Sequence, residues 1–207
     1  MEEYKTIGRE SRSEFTVKRS KFISSAKPVE TPDEAEKFIR SVRAEHFDAK
    51  HNVFAYRTLG GAQKCSDAGE PQGTGGVPVL NAVIKSGAVN AAVVVTRYFG
   101  GVLLGAGGLI RAYSRAASDA LSKAGIITME PCIFAQTHCS YGEYKTVSRL
   151  ILLCGAQEDG TVYTDKVTVK FHIKSVMFQE FQKKLADMTG GQRSASVLKE
   201  GFCPGKQ

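Results

Sequence analysis

Ala91-Ala92-Val93-Val94-Val95-Thr96 is the stretch on which the fold turns. It carries no charge and shows no alternation of polar and apolar positions, so it reads as a strand covered on both faces at the centre of a sheet. Upstream, His51-Asn52-Val53-Phe54-Ala55-Tyr56-Arg57 reads as a second strand. Between the two, residues 59–76 read as one glycine-rich polar loop ending in Gly75-Gly76-Val77-Pro78, followed by a short helix over Val79 to Lys85. Downstream, a second glycine-rich turn, Gly100 to Gly108, leads into a long helix. There Leu109, Ala112, Tyr113, Ala116, Ala120 and Ala124 recur at helical spacing, and Gly125 is the stop.

The remaining N-terminal segments fit the same domain. Thr31-Pro32-Asp33-Glu34 sets a hydroxyl at a helix cap, Pro at the first helical position and Glu three residues after the cap. Ala35, Phe38, Ile39 and Val42 then make one apolar face. Before that helix, Glu14 to Val17 and Lys21 to Ser24 are short strands separated by the basic turn Lys18-Arg19-Ser20.

Around Glu130-Pro131 the pattern resets. A strand over Cys132 to Cys139 precedes a helix over Tyr144 to Leu153, a short strand over Thr161 to Tyr163 and the alternating strand Val167 to Ile173. A helix over Met177 to Met188, a break at Gly190-Gly191 and a last strand over Ala195 to Leu198 complete the series. That order is β-α-β-β-α-β, the ferredoxin-like split unit. The expectation is therefore an α+β protein of two domains, residues 1–130 and 131–207.

Composition excludes more than it assigns. At 207 residues, 42% hydrophobic and 24% charged, the chain is an ordinary globular one. It has no apolar run long enough for a bilayer, and no secretory signal at Met1-Glu2-Glu3-Tyr4-Lys5, so the cytoplasm is the expected location. Five cysteines at irregular spacing, with no C-x-x-C pair, argue against a disulfide framework or a zinc site, and several of them lie in apolar stretches and read as small buried hydrophobes. No metal or other cofactor is expected. The formal charge of +7 favours an anionic partner.

The candidate site residues gather around the glycine-rich segments. In the first, Asp67, Glu70, Gly73, Thr74 and Gly75 offer carboxylates, a hydroxyl and free backbone rotation close to a helix start, where anions bind. In the second, Gly100, Gly101, Gly107 and Gly108 join a strand to a helix, but the pattern fails the dinucleotide fingerprint at Ile110 and has no Walker lysine. Arg97 and Arg111 flank that turn and with Arg57 suggest a phosphate or carboxylate clamp. His51 precedes its strand near the polar loop and reads as a structural histidine, as a base with the two acids, or as part of a metal site with those carboxylates. Cys65 and Ser66 lack any nucleophile signature. Tyr98 and Phe99 are aromatic neighbours of Arg97, fit for base stacking or for the core.

His51 to Arg57, Asp67-Ala68-Gly69-Glu70-Pro71-Gln72-Gly73-Thr74-Gly75-Gly76-Val77-Pro78, and Val94 to Gly101 followed by Leu104 to Tyr113 resemble the hallmark motifs of the YigZ/IMPACT family. Three motifs in order, at fitting distances, make the resemblance specific, and it covers residues 15–125. One departure is Ala68, where family members commonly have Gly. The resemblance implies, for the first domain, the βαβ fold of the second domain of small-subunit ribosomal protein S-five and of the fourth domain of elongation factor G. For the second it implies the ferredoxin-like domain of bacterial members, similar to the last domain of elongation factor G. Eukaryotic IMPACT proteins act in translational control, binding the activator of the general amino-acid-control kinase and restraining that kinase. The two-domain arrangement resembles bacterial and archaeal members, which have no agreed biochemical activity.

The functional expectation is a translation-linked binding protein, without catalysis, that takes RNA or the ribosome on the basic glycine-rich face. The competing expectation is an enzyme acting on a phosphorylated or anionic small molecule with Asp67 or Glu70 as base or metal ligand. A protein-interaction role through the ferredoxin-like sheet stands beside both.

Overall fold

The computed structural model describes residues 1–205, which form two compact units. The larger, Tyr4–Thr128, begins with β1 (Tyr4–Ile7), β2 (Ser11–Val17), β3 (Ser20–Pro28) and α1 (Pro32–Glu45). It continues with β4 (His51–Arg57), β5 (Gln63–Ser66), α2 (Gly76–Lys85), β6 (Ala91–Tyr98) and α3 (Ala106–Ala124). Its sheet runs β2-β3-β6-β4-β5, every neighbouring pair antiparallel.

β6 is central, and Ala91 to Arg97 are all buried, because helices cover both sheet faces. Val93 and Val95 point to α2 and α3, into a cluster with Phe22, Val53, Val79 and Tyr113. Ala92 and Val94 point the other way, to the α1 side chains Ala35, Phe38, Ile39 and Val42. α1 starts where its cap predicts: the Thr31 hydroxyl accepts the Glu34 N–H and the Glu34 carboxylate accepts the Glu30 N–H. On α3, Ala112, Ala116, Ala117, Ala120 and Ala124 are buried, and these small side chains let the helix lie close on the sheet.

Three local expectations need correction here. Residues 59–76 are not one loop, because Gln63–Ser66 pair with Ala55 and its neighbours as the edge strand β5. Backbone hydrogen bonds to β4 make that strand, and its exposed Gln-Lys start shows no apolar alternation to reveal it. α2 begins at Gly76 rather than after Pro78, since a proline in the first helical turn gives up no intrahelical hydrogen bond. α3 begins at Ala106, so Gly107 and Gly108 lie within a helix rather than in the turn before it.

The smaller unit comprises Met1–Glu3 and the described chain from Met129. It contains most of β7 (Ile126–Cys139), then α4 (Tyr141–Leu153), β8 (Gln157–Tyr163), β9 (Val167–Lys174), α5 (Phe178–Met188) and β10 (Ala195–Pro204). The antiparallel order β10-β7-β9-β8 is the ferredoxin-like arrangement expected of βαββαβ. Val147, Leu150 and Ile151 of α4 and Phe178, Phe181 and Leu185 of α5 pack on Ala135, Val169, Phe171 and Ile173, which places both helices on one sheet face. Ser140 and Glu143 cap α4 reciprocally.

The reset at Glu130-Pro131 is no break in secondary structure, because β7 runs straight through it and Pro131 pairs with Phe202. The cysteine reading is corrected as well. Cys132, Cys139, Cys154 and Cys203 are buried, as small hydrophobes should be, but Cys132 and Cys203 form a disulfide between β7 and β10. Irregular spacing hid it, since the two partners are 71 residues apart and meet only through strand pairing. Among the described residues no helix is long and apolar enough to cross a membrane.

Candidate functional site

Phe15, Phe22, Arg97 and His51 stand in one row across β2, β3, β6 and β4, directly opposite one another in register. The loop from β5 to α2 closes over this row on the face that carries α2 and α3. Its Glu70 reaches inward, and one carboxylate oxygen accepts from both the Arg97 guanidinium (2.8 Å) and the Tyr113 hydroxyl (2.7 Å). Only 6% of the Arg97 side chain and 3% of the Glu70 side chain remain exposed, so this is a buried ion pair. Arg97 also donates to the Ser20 hydroxyl, and the Phe22 and Phe99 rings lie within 5.6 and 5.4 Å of it. Burial, followed by the Glu70 carboxylate, pushes the Tyr113 phenol far above its ordinary value, which fixes Tyr113 as a donor.

Asp67 holds the loop from its own side. One oxygen accepts the N–H groups of Gly75 and Gly76, at 2.9 and 2.8 Å, and the other accepts that of Gly73 at 2.9 Å. Asp67 therefore caps α2 across the loop, at the helix end where a negative charge is favoured. Burial alone would raise its pKa, but the three N–H donors outweigh burial and hold it below the ordinary carboxylate value. An acid in that state is a poor proton acceptor. Thr74 spends its hydroxyl on the Pro71 carbonyl, and His51 bonds the Ala68 carbonyl through Nδ1 at 3.0 Å. Ala68 itself has φ +46, the left-handed region that favours glycine. Burial and then Asp67 push the Cys65 thiol up, away from a nucleophilic thiolate.

Asp67→Asn is expected to cost about 2 kcal/mol of stability at neutral pH, since one side of an amide presents donors to donors. The contribution of the ionised Asp67 is complete above its ordinary value of 3.8 and is lost as pH falls through its lower folded-state value. Urea unfolding of both proteins should thus show the gap closing in strong acid, and a gap independent of pH would remove the capping role.

His51, Asp67, Glu70, Gly73, Thr74, Gly75, Arg97, Gly100 and Gly101 thus belong to one end of the sheet, where most of the polar groups serve the loop. The three arginines do not converge. Arg57 pairs with Ala91 at the opposite end of the ladder on which His51 pairs with Arg97, roughly 20 Å away at the ordinary strand rise. Arg111 is exposed on α3, with the backbone of Gly107 close to its guanidinium.

Around Arg111 lies a concavity of about 220 Å³ whose lining includes Phe15, Lys18, Leu104, Gly108, Arg111 and Arg115. Lys18 comes from the hairpin tip, while Gly108, Arg111 and Arg115 come from successive turns of α3. Arg115 stacks over Phe15 at 4.3 Å. Beside this group, α3 opens at Gly105 without a side-chain cap and without an acid in its first turn. Its free N–H groups add partial positive charge to that of the side chains. Lys18 and Arg115 were not legible as site residues, because only the β2–β3 hairpin folding against α3 brings them to Arg111. Among the described residues no group of three or more His, Cys, Asp and Glu side chains is arranged to hold a metal.

Residues 18–121 match the Impact N-terminal domain, and residues 137–192 match a domain of unknown function, DUF1949. The chain is 32% identical to the IMPACT family member YvyE of Bacillus subtilis (strain 168) over 201 residues, 96% of this chain and 91% of that protein. It is 32% identical to the IMPACT family member YigZ of Escherichia coli (strain K12) over 190 residues, 89% of this chain and 92% of that one. A crystal structure titled as that of a hypothetical protein aligns at TM-score 0.63 and 30% identity, covering 96% of this chain and 98% of the other.

Proposed function

The chain belongs to the IMPACT family, and from that premise we propose a translation-linked binding protein that holds RNA or the ribosome through the basic face of its N-terminal domain. The convergence of Lys18, Arg111 and Arg115 on one concavity beside the uncapped start of α3 carries this reading. Among the described residues no carboxylate lines that concavity; Arg115 is paired with Asp119 one turn along α3 at 3.4 Å, which leaves Lys18 and Arg111 as the cations that meet an entering anion. Phosphate fits both the bidentate guanidinium geometry and the helix N-terminus. A formal charge of +7 adds the long-range attraction that steers a polyanion.

The polar loop of Asp67 and Glu70 is the scaffold of this face in the proposal, and the partner touches the cations beyond it. Sedimentation with ribosomes and bulk RNA across a salt series tests this. Affinity should fall linearly on a log–log plot against salt. Lys18→Ala/Arg111→Ala should weaken binding to all sequences alike and reduce the salt slope by about 2, one for each lost phosphate contact. Absence of binding at about 50 mM salt ends the RNA reading, and an unchanged slope in the variant moves the contact elsewhere.

A further inference from the structure

The helices α4 and α5 cover one face of the β10-β7-β9-β8 sheet and leave the other without a helix. On that open face the two central strands place Phe134 and His172 directly opposite each other, with ring centroids 5.5 Å apart. Among the described residues Phe134 belongs to none of the three buried apolar clusters; its ring is half-buried, with one edge over Gly201 of β10. Asp159 holds His172 by its Nδ1 at 2.6 Å, and the Lys199 ammonium lies over the Phe134 ring at 4.7 Å. Along the same face follow Gln136 and His138 on β7 and Thr168 and Lys170 on β9, with His138 bonded to Thr168. Two acids of this part of the sheet are engaged, Asp159 with His172 and Glu130 with Lys174. Lys170 and Lys199 are exposed.

We propose that this face is a platform for single-stranded RNA, with Phe134 and His172 stacking neighbouring bases and Lys170 and Lys199 holding the phosphates between them. Aromatic rings on the inner strands of an open sheet face are suited to unpaired bases, whose flat faces a duplex keeps hidden. An arriving base takes the place of the flexible Lys199 on the Phe134 ring, and the freed ammonium turns to the backbone. The Gln136 amide, which has both donors and an acceptor, lies one step along β7, where it meets a base edge. The face favours RNA over a protein partner because polar and cationic groups surround its aromatic centre, whereas the core of a protein interface is depleted of charge. The platform stands independently of the N-terminal phosphate site.

The test therefore uses the full chain carrying Lys18→Ala/Arg111→Ala, which silences that other site. Fluorescence anisotropy with a labelled ten-nucleotide oligouridylate, and with a duplex of equal length, should show binding of the single strand and a clear preference for it. Phe134→Ala should then weaken single-strand binding about tenfold or more, while Phe134→Tyr retains it. The natural chain has no tryptophan, so Phe134→Trp adds a lone fluorophore that a stacked base should quench. The quenching arm keeps the test decisive where Phe134→Ala perturbs folding. Unquenched fluorescence, equal affinity for duplex, or no binding at low salt overturns the platform. Loss of RNA binding only on removing Lys18 and Arg111 leaves the N-terminal reading standing and this one fallen.

Discussion

Arg97→Ala is expected to cost about 3–5 kcal/mol of folding stability, the penalty for stranding the other half of a buried ion pair. Glu70 would be left in a nearly water-free site with only the Tyr113 hydroxyl for a partner. The Ser20 hydroxyl would lose one donor, and the space beside Phe22 would empty. Glu70→Ala should cost a similar amount, since it leaves the guanidinium buried without its carboxylate. Replacing the group as a whole, Arg97→Met with Glu70→Leu and Tyr113→Phe, should cost far less, because no polar partner is left unpaired. Urea dependence of hydrogen exchange at the β6 amides measures each case. An Arg97→Ala protein within 1 kcal/mol of the parent would show that the pair is solvated in solution. The same reasoning makes Arg97 unsuitable for probing RNA binding: its loss weakens everything that rests on the loop.

The second large effect concerns Gly100. A Cβ added there would lie 2.0 Å from the carbonyl carbon and oxygen of Arg19, backbone atoms that cannot rotate aside. Arg19 belongs to the two-residue hairpin turn between Val17 and Ser20, with φ +45 at Lys18 and +64 at Arg19. Two side-chain-bearing residues in the left-handed region strain that turn by about 1–2 kcal/mol each. Gly100 secures it from outside, donating its N–H to the Ser20 hydroxyl and letting the two backbones touch. Gly100→Ala must push them apart and release the turn, with an expected loss of about 3 kcal/mol or more. It should also displace Lys18 from Arg111 and weaken anion binding. Gly101→Ala is the matching control. Gly101 has φ +81 with open space around it, so only the backbone term of about 1 kcal/mol applies. Thermal unfolding of the two variants side by side separates close approach from backbone conformation, and equal losses would remove the contact argument.

Much of the architecture was legible because it depends on local patterns. The uniform burial of Ala91 to Arg97, the cap at Thr31 and the alternation from Val167 to Ile173 each follow from chemistry within a few residues. β5 was hidden because its four residues are a strand only by grace of the hydrogen bonds that β4 offers. The Cys132–Cys203 disulfide was hidden because register, not spacing, brings its partners together. Tyr113 looked like another apolar position on α3, and nothing in its periodicity announced a hydroxyl aimed at Glu70.

The candidate site divides along the same line. Residue types and glycine spacing marked the right region, since turns that need free backbone rotation and polar loops that need anchors leave their signature in composition. Which of those side chains were spent on the fold was decided elsewhere. Antiparallel pairing sent Arg57 to the far end of the ladder, and burial turned Arg97 and Glu70 into a structural pair. The folding of a hairpin against α3 then set Lys18 and Arg115 beside Arg111. A sequence alone determines what each segment prefers and what each side chain is able to do. Only the tertiary structure decides which groups meet, because hydrogen-bonding capacity is finite and burial allots it among neighbours distant in the chain.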